Sequence, residues 1–518
     1  MSVAKNQHRK SAHLQTTRRN FCKSVLAGGT ALAFGQSADK AFAANTICTS
    51  KTAEQAFANS FVNVPDQYEP VEVSFSNPLP DGLRGTLYRN GPARMQRGDT
   101  RYNHWFDGDG MVHSFSLHDK QLIHRGRMVD TARSLAEEQA GRFLWGGFGT
   151  GMQDSRAVTS PDDLNVANTS VLPVGDEVLA LWEAGSPYRV HAETLETLGR
   201  HVLAPATDGL PFSAHPRVDP QGRIWNFGYL SGTGKLALYD LNPDGTLNRT
   251  ALIDAPNADM VHDFAITEQY LVFLLVPLQL SPITDPAISF LDALSFDDNG
   301  AVEVLVVDKE NLSMVHQFQL PPFFAFHFGN AWQDGDNIQI EVATSGDFHP
   351  LMDSILSAMK GERSPHAATL SSQTIEVRLD LKRKHASIES LPTRGVDFPR
   401  FDQRFTSKRT EQLFMLAQSE EMPSGIFGFN MVTSMNRNKS RESVFSYGAH
   451  TLAEEHLFVP AQGKPAGTGW LVGTSYNWQK CRTSLSVFDA QHIEDGPITQ
   501  AHLPYGLPLG LHGQFAAT

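Results

Sequence analysis

From about residue 71 to the C-terminus, short apolar or alternating runs are separated by Gly, Pro, Asp and Asn. Apolar–polar alternation over four to eight residues is typical of half-buried β-strands, and the separating residue types favour turns. Strands are predicted at GTLYRN, MVHSFSL, EVLALWEA, KLALYDL and NIQIEVAT, with turns at PQGR, NPDG, DDNG and QDGD. Stretches with helical periodicity are rare. The pattern therefore predicts an all-β protein.

The strand pattern continues over most of the 518-residue chain, and this density favours a propeller or a large barrel built as one domain. Three inserts interrupt it, at 131–159, 278–298 and 348–371. We expect them to cap one face of the β structure. The second insert, LQLSPITDPAISFLDALSF, is rich in apolar residues.

The N-terminus has the features of an export signal. Basic residues lead to TTRRNFCKS, which contains Arg18 and Arg19, and an apolar stretch at 24–35 is followed by Ala-Phe-Ala at 41–43. This order predicts a twin-arginine signal at 1–43 and a periplasmic protein, with a cytosolic tail as the alternative. Residues 44–70 are interpreted as an N-terminal extension and 71–518 as a single domain.

Charge and cysteine content narrow the classes of partner. The chain carries 43 Lys and Arg against 56 Asp and Glu, and loss of residues 1–43 would leave 36 against 55, a net charge of −19. Nucleic acid is therefore excluded as an expected partner, because phosphate binding needs a basic face. Cys48 and Cys481 remain after removal of the signal, which gives no disulfide framework, although one bridge between them stays open.

Four histidines lie in separate strand-like contexts, SAHPRVD, MVHDFAI, FAFHFGN and GLHGQF. They are His215, His262, His327 and His512, spaced by 47, 65 and 185 residues. Only a closed architecture could bring such distant residues together. Neutral imidazole binds zinc, copper, iron and nickel, so the set predicts a metal site without naming the metal. The alternative is that each is a surface or core histidine, as most of the twenty are.

Several motifs then occur in a recognisable order: LRGTLYRNGPAR, HWFDGDGMVHSF, NTSVL, ALWEAGSPY, DFPRFD, EEHLFVP and the closing GLHGQF. Through them, the chain resembles the carotenoid cleavage oxygenase family from Phe61 to the C-terminus. The resemblance implies a seven-bladed β-propeller with one Fe(II) per chain, bound by the four histidines. It also implies that O₂ is used to cleave a carbon–carbon double bond into two carbonyl products.

The family orients its histidines with glutamates, which by motif position correspond to Glu183, Asp397 and Glu455. Asp397 departs from the usual Glu. Because its side chain is one methylene shorter, we expect a shifted strand or a bridging water at this position, or a residue that only caps the turn before Pro399. Glu454 competes with Glu455 for the third role, but the spacing to the following FVP favours Glu455.

By the same resemblance, Thr169 flanks the oxygen site, and Trp182 and Phe326 form walls of a substrate tunnel. The alternatives are a plain strand threonine and two core aromatic residues. The resemblance also implies that the apolar insert 278–298 contacts a membrane, with cover of the core as the alternative. Stilbene-cleaving members hold the substrate phenol with a lysine and a tyrosine, and those positions correspond here to Trp182 and His124. The indole favours a polyene, so the expected partners are a carotenoid or apocarotenoid and O₂. The alternatives are stilbene cleavage, alkene isomerisation, and a non-catalytic propeller that binds apolar ligands.

Overall fold

The computed structural model describes residues 52–345, 348–366, 372–423, 425–438 and 441–518. The predicted twin-arginine signal at 1–43 lies outside the described residues. Strand structure begins at Gln67, inside the segment interpreted as an extension, and the first blade therefore starts slightly earlier than residue 71.

Seven antiparallel sheets form the blades of a propeller, which confirms the predicted fold class. In spatial order from one edge to the other, blade 1 contains Gln67–Ser74, Gln121–Met128, Asp109–His118, Gly85–Arg94 and Gly513–Ala517. Blade 2 contains Ser170–Val174, Glu177–Leu181, Tyr188–His191 and Thr197–Arg200. Blade 3 contains Arg217–Val218, Ile224–Leu230, Lys235–Leu241 and Leu247–Asp254. Blade 4 contains Ala265–Ile266, Tyr270–Leu275, Val302–Asp308 and Ser313–Leu320.

The remaining three blades each have four strands. Blade 5 contains Ala325–Asp334, Asn337–Thr344, Gln373–Asp380 and His385–Ser390. Blade 6 contains Val396–Arg400, Gln412–Ala417, Met431–Asn436 and Arg441–Ser446. Blade 7 contains Thr451–Pro460, Gly469–Asn477, Arg482–Asp489 and Pro497–His502. Two short hairpins lie outside the blades: Gln96–Arg97 with Thr100–Arg101, and Leu278–Leu280 with Leu294–Phe296.

Burial along the strands follows from the stacking of blades. In the third strand of blade 3, Lys235–Leu241, every residue after the lysine is buried, because both faces of a blade pack against neighbouring blades. The outer strand Leu247–Asp254 alternates between more and less exposed residues, because one face is open to solvent. The apolar runs of the sequence therefore correspond to the middle strands of the blades.

The two ends of the chain close the ring. Gly513–Ala517 pairs antiparallel with Gly85–Arg94, and Gly85 lies opposite Ala517. The C-terminal strand thus completes a blade that otherwise consists of N-terminal strands. Because the strand is held in this register, His512, the residue just before it, is fixed near the axis of the propeller.

Helices are short and lie mainly in the inserts. In the described part of the chain, the α-helices are Ala53–Asn59, Ala132–Ala140, Phe290–Ala293 and Phe348–Lys360. The 3₁₀ turns found there are Trp105–Asp107, Pro161–Leu164, Pro205–Thr207, Gln403–Phe405 and Ile493–Asp495. Among the described residues, no helix is both long enough and apolar enough to span a bilayer.

The first two inserts contact each other through a glycine-rich turn at 146–151. The Met152 amide donates to the Pro286 carbonyl at 2.7 Å, and the Leu291 amide donates to the Phe148 carbonyl at 2.8 Å. A Cβ at Gly151 would lie 1.9 Å from the carbonyl oxygen of Ala287, so only glycine fits there. Residues of all three inserts line one cavity, in agreement with the expectation that they cap one face.

Candidate metal centre

The four predicted histidines lie at the start of innermost strands from four blades. His215 and His262 precede the first strands of blades 3 and 4, His327 lies inside the first strand of blade 5, and His512 precedes the closing strand of blade 1. One ligand atom from each lies within 4.8 Å of the others. The propeller therefore brings together residues up to 297 positions apart, from 215 to 512.

Three carboxylates orient three of these imidazoles through Nδ1. His327 Nδ1 lies 2.8 Å from Asp397 Oδ1, and His512 Nδ1 lies 3.1 Å from Glu455 Oε1. His262 Nδ1 makes the equivalent contact with Glu183 Oε1. An ionised carboxylate can only accept a hydrogen bond, so each contact fixes the proton on Nδ1 and leaves the Nε2 lone pair free.

The free nitrogens face one another. His327 Nε2 lies 3.3 Å from His262 Nε2 and 3.2 Å from His512 Nε2. His215 Nε2 is buried and makes no hydrogen bond to any residue that the structure describes. Lone pairs at these distances repel unless a cation lies between them. Nitrogen ligands about 2.1 Å from a metal at right angles would be separated by about 3 Å, so the four side chains fit a divalent transition metal.

Burial keeps two of the four histidines neutral. It lowers the pKa of His512 to about 4, despite the opposing effect of Glu455, and lowers that of His215 well below its usual value. Burial also lowers the pKa of His262, but the neighbouring Glu183 outweighs it and the net pKa is raised. Neutral imidazoles bind metal, whereas imidazolium does not.

Glu455 is ionised and paired inside the protein. Burial alone would raise its pKa, but Arg400, His512 and the Gly513 amide together lower it to about 2. Arg400 Nε donates to Glu455 Oε1 at 2.9 Å, and the Gly513 amide donates to Oε2 at 2.9 Å. The competing Glu454 instead pairs with Arg89 and accepts from the Gly510 amide, as the spacing argument for Glu455 requires.

Asp397 contacts His327 directly, so a bridging water is not needed. The pairing of its strand with Gln412–Ala417 is irregular between Asp397 and Arg400, and Phe398 adopts a φ of 57°. The Phe398 amide donates to Asp397 Oδ1 at 2.7 Å. A left-handed conformation is strained for a bulky residue such as Phe398, so the surrounding structure must hold the backbone in this bulge. The irregular pairing lies at the position where a shifted strand was expected.

A large apolar cavity lies beside the histidines, with a volume of about 530 Å³. Thr169, Trp182 and Phe326 all line it. The Phe326 ring meets the His262 ring edge-on, with centroids 4.9 Å apart. Thr169 Oγ1 donates to Asn168 at 3.0 Å, and its carbonyl accepts from the His512 amide at 3.2 Å. We call this space, lined by these residues and by the inserts, the apolar cavity.

His124 does not line the apolar cavity, so its assignment to the position of the family's phenol-binding tyrosine is wrong. It lies on Gln121–Met128, in the outer part of blade 1. Its ring is buried between His113, 3.1 Å away, and the hydroxyl of Tyr505, 2.9 Å away. Counting along the sequence could not show that three strands of blade 1 separate this strand from the axis of the propeller.

Other residues at the centre were not singled out from the sequence. Arg400 and Phe398 lie within the DFPRFD motif, but nothing in the motif indicates an ion pair to Glu455 or a ring 4.7 Å from that of His327. Tyr229 donates to Glu183 Oε2 at 3.0 Å from a buried strand of blade 3. Each of these contacts joins different blades, and only the folded structure can show such contacts.

The fold and the centre define a class: a propeller with four histidines on its axis, three of them held by carboxylates, beside an apolar cavity. The family model for retinal pigment epithelial membrane protein (RPE65) matches residues 61–517. The chain belongs to this family, the carotenoid cleavage oxygenases. The predicted resemblance is confirmed, and the prediction of an O₂-dependent oxidoreductase is confirmed at the level of the family.

Relatives whose names indicate different substrates are equally similar to the chain in sequence identity. The chain is 28% identical over 494 residues to apocarotenoid-15,15'-oxygenase of Synechocystis sp., covering 90% of this chain and 96% of the relative. It is 28% identical over 467 residues to lignostilbene-alpha,beta-dioxygenase isozyme III of Sphingomonas paucimobilis, covering 86% and 94%. A crystal structure of the cobalt-substituted Synechocystis oxygenase matches with a TM-score of 0.80 and 26% identity, covering 90% and 99%.

Proposed function

We propose that the chain is a non-haem Fe(II) dioxygenase that cleaves a double bond of a carotenoid or apocarotenoid. The observation that supports this most directly is the convergence of unprotonated imidazole nitrogens at the wall of an apolar cavity. His215, His262, His327 and His512 would hold one iron, and Glu183, Asp397 and Glu455 would fix their orientation. When bound, a ferrous ion with open coordination positions supplies O₂ activation.

The side chains would orient the metal ligands and exclude water from the reaction site. Three carboxylates keep the histidine protons on Nδ1, and Phe326 and Trp182 keep water from the reacting double bond. One O₂ and one C=C give two C=O groups, so no proton needs to be gained or lost overall. The proposed reaction therefore requires no side chain that acts as a general acid or base.

The cavity lining favours a polyene over a phenolic stilbene. Among the described residues that line the apolar cavity there is no lysine, Tyr229 is the only tyrosine, and the one arginine, Arg133, is paired with Glu137. Its hydroxyl already donates to Glu183. A phenolate in an apolar site needs a cation or hydrogen-bond donor, whereas a hydrocarbon chain needs neither. Cleavage of a stilbene, the substrate class in the name of the lignostilbene relative, is therefore the alternative outcome of the test.

We also propose export by the twin-arginine route to the periplasm, supported by the Arg18-Arg19 signal. The second insert is proposed to contact a membrane peripherally. Ile283 and Ile288 in this insert are exposed, at 44% and 42%, while Phe290 of the same segment lines the apolar cavity. Such a surface would let a lipophilic substrate pass from a bilayer to the cavity.

The test is product analysis with protein reconstituted anaerobically with Fe(II) and then exposed to O₂. An apocarotenoid and a hydroxylated stilbene would be supplied in parallel. Aldehydes from the apocarotenoid, with iron near one per chain, are the expected result. Cleavage of the stilbene alone would reject the proposed substrate, and absence of both iron and turnover would reject the enzyme in favour of a binding protein.

A further inference from the structure

A second cavity of about 390 Å³ reaches the histidines from another direction. Its walls include Arg217 and Val218 after His215, Phe328 after His327, and the segment 514–516 after His512. Since these residues follow the histidines on the innermost strands, the cavity continues along the propeller axis, away from the inserts that cap the apolar cavity. We call this space the axial cavity.

Two ion pairs make the wall of the axial cavity polar. Arg217 pairs with Asp263 at 2.5 Å, and Arg400 pairs with Glu455. Arg217 also donates to the Phe328 carbonyl at 3.0 Å. Because each arginine is matched by a carboxylate, the wall presents polar groups without a net repulsive charge toward a cation.

The axial cavity leads from solvent to the metal ligands. His215, His327 and Glu455 lie at its inner end, and Gly175, Val218 and Gln403 lie on its wall in exposed positions. Val218 is 39% exposed. Phe398 contributes to the walls of both the axial and the apolar cavity, so it lies where the two approach each other beside the histidines.

The two cavities differ in the solutes they can admit. Moving a hydrated divalent cation past Trp182, Phe106 and Phe326 would remove its water without replacement, which is strongly unfavourable. The ion pairs and backbone carbonyls of the axial cavity can instead hydrogen-bond to the water around the ion. We infer that a hydrated divalent cation reaches the four histidines through the axial cavity, by a route separate from that of the lipophilic substrate.

This inference rests on the proposed metal centre, and a matched set of tryptophan variants tests it. The double variant V218W/Q403W narrows the axial cavity at exposed positions. Thr233→Trp narrows the apolar cavity at an exposed position of its lining. Val315→Trp, on the outer strand of blade 4, places the same bulk on an exposed valine outside both cavities. Each full-length protein is freed of metal with a chelator and mixed with Co(II) alone, and the visible absorption of the bound ion is followed with time.

We expect V218W/Q403W to slow Co(II) uptake at least tenfold while the final content per chain equals that of the unsubstituted protein. Uptake by the Thr233→Trp and Val315→Trp variants should be within twofold of normal. Equal final content separates a slowed route from a damaged site. Unchanged uptake in V218W/Q403W, or slowed uptake in the Thr233→Trp variant, would overturn the inference and leave the oxygenase proposal intact. If the unsubstituted protein binds no Co(II), the metal centre itself is rejected.

Discussion

The contact between Asp397 and His327 allows a sharp test of the proposed metal centre. The aspartate oxygen is already 2.8 Å from the imidazole nitrogen and also accepts from the Phe398 amide at 2.7 Å. Replacement by asparagine keeps the shape and an acceptor oxygen but removes the negative charge. Replacement by glutamate keeps the charge but adds a methylene, about 1.5 Å of chain.

The two variants should lose metal affinity to different extents. Loss of a carboxylate that orients a metal-bound histidine typically weakens metal affinity 10- to 100-fold, about 1.4–2.8 kcal/mol, and we expect this for Asp397→Asn. In Asp397→Glu, the longer chain must withdraw from the ring and give up its bond to the Phe398 amide. The net value of one such bond is about 1 kcal/mol, so affinity should fall roughly fivefold.

The assay is anaerobic competition for Fe(II) or Co(II) between each variant and a chelator of known affinity. Melting of the metal-free proteins shows whether the fold is retained. Glu389→Gln, which neutralises an exposed carboxylate in the outer strand of blade 5, serves as the matched control. Affinity within twofold of normal in Asp397→Asn would refute the role assigned to the carboxylate. Tighter binding in Asp397→Glu would refute the view that the bulge at Phe398 is matched to aspartate.

Three further predictions concern the other contacts. His262→Ala should abolish metal binding and turnover while circular dichroism stays nearly unchanged, because the blades supply the core; full metal occupancy would reject this ligand. Arg400→Met should destabilise the protein by about 3–5 kcal/mol in denaturant unfolding, since it leaves the Glu455 carboxylate buried without its cation. Because the pKa of Glu455 is lowered from its ordinary value of 4.5 to about 2, its carboxylate contributes its full stabilisation at pH values above 4.5. This contribution decreases progressively as pH falls toward 2. The difference in stability between the unsubstituted protein and the Arg400→Met variant should therefore shrink as pH falls from 4.5 toward 2, and a difference that stays constant would contradict this. Gly151→Ala places a Cβ 1.9 Å from the Ala287 carbonyl, so we expect about 1–3 kcal/mol of destabilisation and a raised KM for a lipophilic substrate; an unaltered melting temperature and KM would show that the two inserts separate freely.

The sequence pattern alone was sufficient for the all-β class, because period-two alternation and turn residues are local properties of a strand. The seven-bladed propeller was expected only from the family resemblance. KLALYDL, for example, is the strand Lys235–Leu241. The four histidines could also be selected, since their motifs resemble those of a family in a fixed order. The N-terminal signal is likewise a local pattern, and it remains a prediction.

The tertiary structure alone decided which residues meet. The reach of Asp397 depends on a bulge and on the φ of Phe398, neither of which is encoded by the spacing of DFPRFD. His124 was misplaced because distance along the sequence does not show how far a strand lies from the axis of the propeller. Arg400, Tyr229 and the axial cavity arise from contacts between blades that are far apart in the chain. Local pattern fixes the strands, but the site is formed by the packing of seven sheets around one axis, and that packing is a property of the whole chain.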